Sequence, residues 1–405
     1  MTHMLSSPSQ IGVFGMKIKA LEIEGVARVQ NNLSLEFNEG MNIICGINGT
    51  CKTTILECIA HSFSVGQTLL KKNAAVESGL YKITTDVAGE KTYCIHDFSP
   101  TKSEYYVSGH DEGNCQVLYF KTSRNFQYTP LNAIPKDNEH NRIEYGTINQ
   151  TGISFDDFKG WFVHRYLFSH IPDSLVDEQK SNLETAQRCF NVLDENISFS
   201  RIKADSHDIM VTTPQGEVYF EYLSAGYKSC LYILLGIIKE IEFRFKEPMK
   251  AVKDFDGVIL IDEVDLHLHP IWQTTIVKSL KEIFSQAQII VTTHSPHIIQ
   301  SAEPNEVIPL VIDENGDIVV NKIEVNEYGY QGWTVEEILE DVMGMESTRS
   351  ELYAKTLSAF DNAITEEDDC AVIDNYTILQ KMLHPRSHLR KVLDIQIAGV
   401  KKDSD

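Results

Sequence analysis

No CxxC pair occurs among the eight cysteines, Cys45, Cys51, Cys58, Cys94, Cys115, Cys189, Cys230 and Cys370. That spacing excludes a zinc ribbon and a disulfide framework, and it fits a reducing, cytoplasmic setting. Long apolar runs are missing as well. The longest, Leu231 to Ile238, stops at Lys239, far short of the ~20 residues a membrane span needs. Basic residues are in deficit, with Lys+Arg at 36 against Asp+Glu at 58, for a formal charge of −22. A broad basic coat for nucleic acid is thereby excluded, although a local basic groove is not. Residues 1–15 have neither a charged start nor a sustained apolar stretch, so they read as a frayed leader, and Met16 offers an alternative start. Core-forming residues are present in ordinary amount, 42% hydrophobic over 405 residues. That suffices for one large or two medium domains and excludes disorder throughout.

From Met16, KIKALEIEG, VARVQNNLSLEF and MNIIC are short apolar-rich stretches between turn residues, hence strands. TTILECIAHSF carries Ile55, Leu56, Ile59 and Phe63 at helical spacing. Residues 65–150 read as a strand meander with a polar, Pro-bearing loop from Pro130 to Gly146. In 154–190, Phe155, Phe158, Trp161, Phe162 and Tyr166 share a helical face, an aromatic stripe best explained by core packing. A hairpin is expected to turn at Thr213–Gly216, and a second one at Asn315-Gly316 as a type I′ turn. Between them run a long helix, the strand GVILID, a helix opening at Pro270 and the strand QIIVTTH. After Gly332 the composition shifts to three amphipathic stretches, with Arg386, Arg390, Lys391, Lys401 and Lys402 near the end.

The sharpest motif is Gly46-Ile-Asn-Gly-Thr-Cys-Lys-Thr53, between a buried strand and a helix. GxxxxGK[ST] in that setting is a phosphate loop. Its glycines let backbone N–H groups curl around phosphate oxygens, and the helix start adds free donors and a positive dipole. Asn48, Gly49, Thr50, Cys51, Lys52, Thr53 and Thr54 are therefore the candidate ATP-binding residues, with Lys52 reaching the β/γ oxygens and the Thr53 hydroxyl meeting Mg²⁺. Cys51 departs from the pattern, standing where the last glycine belongs. A thiol beside Lys52 at a helix start is a candidate for a lowered pKa and redox control.

Four further pieces follow in order: Leu223-Ser-Ala-Gly-Tyr-Lys228 opening a helix, VILIDE ending in Asp262-Glu263, Asp265, and Thr292-Thr-His-Ser-Pro296 after an apolar strand. This order resembles the ABC-type ATPase heads, a family that includes RecF, Rad50, SMC and the overcoming-lysogenization-defect ATPases. The resemblance covers about residues 16–300. It implies an α/β fold, a P-loop head with a mixed β lobe and a parallel-sheet core flanked by helices, plus a C-terminal helical extension. It also implies roles: Asp262 and Thr53 for Mg²⁺, Glu263 as catalytic base, His294 as γ-phosphate sensor. Ser224, Ala225 and Gly226 become the signature loop and Asp265 the D-loop aspartate, both acting on ATP across a homodimer or higher oligomer. The glutamine that links the first lobe to Mg²⁺ has no clear position; Gln150 is a guess.

The implied organisation is a leader over 1–15, a head over 16–330 and a partner-docking helical region over 331–405. Within the head, lobe I spans about 16–150, the signature region about 151–245, and Walker B to the switch histidine about 255–300. Only about 170 residues separate the phosphate loop from the signature, without heptads, which sets aside the coiled-coil branches. The region after Gly332 lacks the Glu and DxD of a Toprim nuclease. LSAGYKS, IDEVDLHLHP and WTVEEILEDVMGM resemble instead the PtuA-type ATPases of Septu and certain retron anti-phage systems. That resemblance implies a separate HNH nuclease partner, and in retrons a reverse transcriptase and its RNA–DNA product, with no membrane role. Two other readings stay open: an ATP-binding scaffold with little hydrolysis because of Cys51, and a RecF-like DNA-repair ATPase. Lys71 and Lys72, Lys121 and Arg124, or the terminal basic cluster are candidates to line a nucleic-acid groove, though a solvated surface is the commoner use of such residues.

Overall fold

The computed structural model describes residues 15–400 except 68–69, 97–104, 108–112, 125–127, 129, 135, 138–139 and 155–156. Nearly all of the expected leader, Phe155, Lys401 and Lys402 lie outside the described residues. Two compact units divide the chain, one ending at Gly344 and one beginning at Met345.

The first unit opens with β1 (Ile18–Glu24), β2 (Leu33–Glu36), β3 (Met41–Gly46) and helix α1 (Lys52–Ser62). β4 (Val65–Gln67), β5 (Gly79–Thr85), β6 (Gly89–Ile95), β7 (Tyr105–Val107) and β8 (Val117–Phe120) follow. Helices α2 (Arg142–Thr151), α3 (Phe158–Phe168) and α4 (Asp177–Cys189) precede strands β9 (Ser198–Ile202), β10 (Ile209–Thr213) and β11 (Gly216–Tyr219). Then come α5 (Ala225–Arg244), β12 (Val258–Ile261), α6 (Pro270–Ile283), β13 (Gln288–Thr293), α7 (Pro296–Ser301), β14 (Val307–Ile312) and β15 (Ile318–Val320).

A six-stranded sheet in the order β15-β14-β3-β13-β12-β8 forms the centre, parallel except for β15. An antiparallel sheet β2-β1-β5-β6 makes the β lobe. The molecule is thus α/β, with an antiparallel β lobe and a mixed, largely parallel core flanked by helices. Successive strand residues point to opposite faces, and the central strands use both. Ile43, Leu118, Phe120, Ile259, Ile261 and Ile289 pack with α3, α4, α5 and α6. Ile44, Val117, Tyr119, Val258, Leu260 and Ile290 pack with α1 and the lobe. The apolar run seen in the sequence lies on α5, where Leu231, Ile233, Leu234, Leu235, Ile237 and Ile238 are fully or almost fully buried. Each contributes about 1.5–3 kcal/mol of transfer free energy. The aromatic stripe is core as expected: Phe158, Trp161 and Phe162 are buried, and Tyr166 packs against the same cluster.

Three expectations need correction. Residues 65–150 are not one meander, because β8 leaves it to pair parallel with β12, Phe120 opposite Ile261. Its four buried residues need cover on both faces, which only the central sheet supplies. The second hairpin is not a type I′ turn. Among residues 313–317 only Gly316 has positive φ (84°), and the Asp313 carboxylate organises a longer loop by accepting from the N–H groups of Asn315 and Asp317. WTVEEILEDVMGM is one helical turn, Val335–Glu337, capped by Thr334, followed by a wider turn closed by Met343 N–H donating to Ile338 O at 2.9 Å. Ile338, Val342 and Met343 bury against Cys45, Ile299 and Tyr330, so this stretch belongs to the first unit and the division falls at Gly344. The second unit contains α8 (Glu351–Thr365), α9 (Asp369–Met382) and α10 (His388–Val400) around Phe360, Val372, Leu379 and Leu393.

Candidate nucleotide-binding site

β3 is buried at all six positions between β13 and β14, so its C-terminal end is held rigidly where the loop begins. A Cβ on Gly46 (φ 148°) would stand 2.3 Å from the Leu310 carbonyl oxygen, so no other residue fits there. At Gly49 (φ 88°) a Cβ would stand 2.5 Å from Arg28 Nη1. Cys51 takes the left-handed conformation (φ 60°, ψ 25°) at the cap of α1. That is why a glycine is usual at this position, and a Cβ there costs about 1–2 kcal/mol. Lys52 is buried and donates from Nζ to Gly46 O and Ile47 O, both at 2.9 Å. Thr50 is buried and turns its hydroxyl inward to Ile47 O at 2.9 Å.

β12 carries Asp262 to the neighbouring position through parallel pairing with β8 and β13. The Asp262 carboxylate accepts from Thr53 Oγ1 at 3.0 Å and from Thr292 Oγ1 at 2.6 Å. Thr292 Oγ1 in turn accepts from the Glu263 N–H at 2.7 Å. Glu263 has a left-handed backbone (φ 47°), which aims its side chain away from the strand direction. Burial, then the charges of Asp262 and Asp265, hold its carboxyl above the ordinary glutamate value. Asp265 Oδ1 accepts from Thr293 Oγ1 at 2.6 Å and lies 3.4 Å from the His294 N–H. Burial and then the Lys52 charge hold His294 below the ordinary histidine value, in the neutral form near pH 7.

These elements enclose a cavity of about 350 Å³. Its walls include Asn48, Gly49, Cys51, Lys52, Thr53 and Thr54 from the loop, with Asp262, Glu263, Thr292 and His294 from the sheet edge. Hydroxyl and carboxylate oxygens converge at Thr53 and Asp262, a hard donor set that suits Mg²⁺. Thr50, Asp265, Ser224, Ala225 and Gly226 do not line the cavity. Ser224 caps α5 by accepting from the Tyr227 N–H at 3.3 Å, leaving Ser224 and Ala225 exposed at the helix start. Gly226 is buried against the His267 carbonyl, 2.5 Å from where a Cβ would sit.

Arg28, Ala27 and Thr292 also line the cavity and were not singled out as site residues. Arg28 follows the turn after β1, and no spacing rule ties that turn to the loop around Gly49. Gln150 lies elsewhere, in a small cavity with Glu57, Tyr119 and Lys121. The Cys51 thiol is pushed up by burial, not down, which removes the basis for a reactive thiolate. Arg124 is 7% exposed and bonded internally, so it cannot line a groove. Lys121 Nζ lies 3.7 Å from Glu57, Lys71 is half-buried, and Lys72 donates to Val76 O at 2.6 Å. In the second unit Arg386 and Lys391 are exposed, whereas Arg390 donates to Gln380 O.

Two family models match, the AAA domain over residues 20–107 and the AAA ATPase domain over residues 165–299. A Septu protein PtuA of Bacillus thuringiensis is 45% identical over 387 residues, covering 94% of this chain and 98% of the relative. A retron probable ATPase of Escherichia coli is 36% identical over 85 residues, 21% of this chain and 16% of the relative. Among solved structures, an SMC head bound to the C-terminal winged-helix domain of ScpA covers 76% of this chain and 98% of its own at TM-score 0.45 and 16% identity. The SMC head domain from Thermotoga maritima matches at TM-score 0.39 and 16% identity, covering 76% and 100%. No helix among the described residues is long and apolar enough to cross a membrane. With near-complete coverage of a relative, and AAA-domain models spanning Gly46–Thr53 and Leu223–Lys228, the chain belongs to the PtuA family of Septu ATPases.

Proposed function

We propose that this chain hydrolyses ATP with Mg²⁺ and that its nucleotide state controls a separate HNH-type nuclease in anti-phage defence. The observation that carries the reading is the single cavity into which Lys52, Thr53, Asp262, Glu263 and His294 converge from the ends of three central strands. Lys52 and the loop amides between Gly46 and Thr53 bind the phosphate oxygens, with Arg28 adding charge beside Gly49. Thr53 and Asp262 hold Mg²⁺, which when bound supplies Lewis-acid polarisation of the phosphoryl group. Glu263 orients the attacking water and takes its proton; a carboxyl that burial holds above the ordinary glutamate value is a stronger base for that task. Neutral His294 donates an N–H toward the terminal phosphate. Ser224 and Ala225 are exposed at the start of α5 with Gly226 buried beneath them, all three away from the chain's own cavity, which supports their use on the nucleotide of a second copy.

The left-handed Cys51 keeps the loop's turn without a glycine, which favours hydrolysis over a purely binding scaffold. The exposed apolar residues Leu352, Ile373 and Ile395 of the second unit support its use as a docking surface for the nuclease. Relatives named as retron ATPases support the same setting, with a reverse transcriptase and its RNA–DNA product as further partners there. The test is steady-state ATP hydrolysis by wild type and Glu263→Gln, together with copurification of a neighbouring HNH nuclease with and without ATP. A wild-type rate equal to that of Glu263→Gln refutes the hydrolytic part. Nuclease activity indifferent to nucleotide refutes the control.

A further inference from the structure

Arg124 follows the end of β8, and its buried guanidinium spans two elements of the site. Nη2 donates to Asp262 O at 2.8 Å and to Glu263 O at 3.0 Å. Nη1 donates to Ser229 Oγ at 3.1 Å, on the first turns of α5, and Ser229 Oγ reaches Leu266 O at 3.4 Å. One planar group therefore grips both carbonyls of the Asp262–Glu263 turn and a hydroxyl of the signature helix. The turn needs such a grip, because the left-handed backbone of Glu263 (φ 47°) is a strained conformation that persists only where its surroundings hold it. The carboxylates of Asp262, Asp265 and Glu263 all lie near enough to act on the buried guanidinium. A lysine could not replace it, since a single ammonium cannot reach two carbonyls from one nitrogen and a hydroxyl from another in fixed geometry.

We propose that Arg124 is a positioning residue for ATP hydrolysis, holding the Asp262–Glu263 turn and the signature helix of the same chain as one piece. This rests on the hydrolytic reading above. In that reading the signature of one chain serves the site of its twin, so Arg124 connects the Walker turn of one site to the signature loop serving the other. Movement at either is transmitted to the other through this buried side chain.

The test uses the full chain with Arg124→Gln, Arg124→Lys and Ser229→Ala, measuring kcat and KM for ATP. Amide hydrogen exchange is followed alongside in nucleotide-free protein. Losing charge-assisted hydrogen bonds is expected to lower kcat about 10–100-fold in Arg124→Gln with KM for ATP nearly unchanged. Arg124→Lys does not restore the rate, because an ammonium cannot make the same set of bonds. Ser229→Ala lowers kcat less and adds nothing to Arg124→Gln. Exchange quickens over 262–268 and 224–230 in both. Wild-type turnover and exchange in Arg124→Lys and Ser229→Ala overturn the proposal, even where Arg124→Gln does not fold. So does an Arg124→Gln loss that falls on KM for ATP with kcat unchanged. An active wild type and an inactive Glu263→Gln beside that outcome leave the hydrolytic reading standing; an inactive wild type defeats both.

Discussion

Thr292 joins the two carboxylate positions of the site, and replacing it by valine isolates what its hydroxyl does. Valine keeps the shape and removes the oxygen that donates to Asp262 at 2.6 Å and accepts from the Glu263 N–H at 2.7 Å. Thr292 is fully buried, so water does not take over either bond. A hydrogen bond to a charged group contributes about 1.5–3 kcal/mol, and an orphaned buried N–H costs about 1–3 kcal/mol. Thr53 still donates to Asp262, which softens the first loss. The expected cost is therefore about 3 kcal/mol. For a unit reaching to residue 344, an unfolding entropy of ~2.1 cal/mol/K per residue makes that a drop of about 4 °C in Tm. Scanning calorimetry of wild type, Thr292→Val and Thr292→Ser measures it, and serine should recover most of the loss. A valine variant melting with wild type would show that the Asp262–Thr292–Glu263 chain is not holding the turn, and the electrostatic account of the site would fall with it.

Two further outcomes follow from burial. His61 lies in the core within 2.5 Å of the Tyr81 hydroxyl, and burial lowers its pKa to about 4 from an ordinary 6.5. The unfolded chain binds the extra proton between these values, so this contribution is complete above pH 6.5 and is lost as pH falls toward 4. It amounts to ~3 kcal/mol, and His61→Gln should be less sensitive than wild type to acidification from pH 7 to 5 in urea titrations. Equal sensitivity would contradict the assignment. Cys51, its thiol pushed up by burial, should react with iodoacetamide at pH 7.5 more slowly than the exposed Cys94 and Cys370. Peptide mass spectrometry reads the order, and a faster Cys51 would restore the redox idea.

Local chemistry made part of the site legible. A buried strand, a glycine loop and a helix start form one contiguous unit, so Gly46 to Thr53 could be read directly, and VILIDE was legible because four consecutive apolar residues demand cover on both faces. Residues that reach the site from afar were not. Arg124 lay among candidate groove cations because charge in a sequence says nothing about burial, and its partners are 105 to 139 residues away. Arg28 and Gly49 meet only because the turn after β1 passes over the loop. The thiol of Cys51 was misjudged for the same reason: proximity to Lys52 suggested a lower pKa, whereas desolvation outweighs the lowering influences, which come from Arg28, Thr54 and Val29.

Periodicity, turn residues and the spacing of glycine, lysine and acidic groups are properties of a few neighbouring positions, and these already specified an α/β phosphate-loop protein with an acidic turn. Strand order, the departure of β8 to the central sheet, the docking of Ile338 to Met343 against Cys45, and the grip of Arg124 depended on which distant surfaces met. Desolvation and long-range hydrogen bonds arise only from such meetings, and they decide the protonation and aim of the groups that the local pattern merely names.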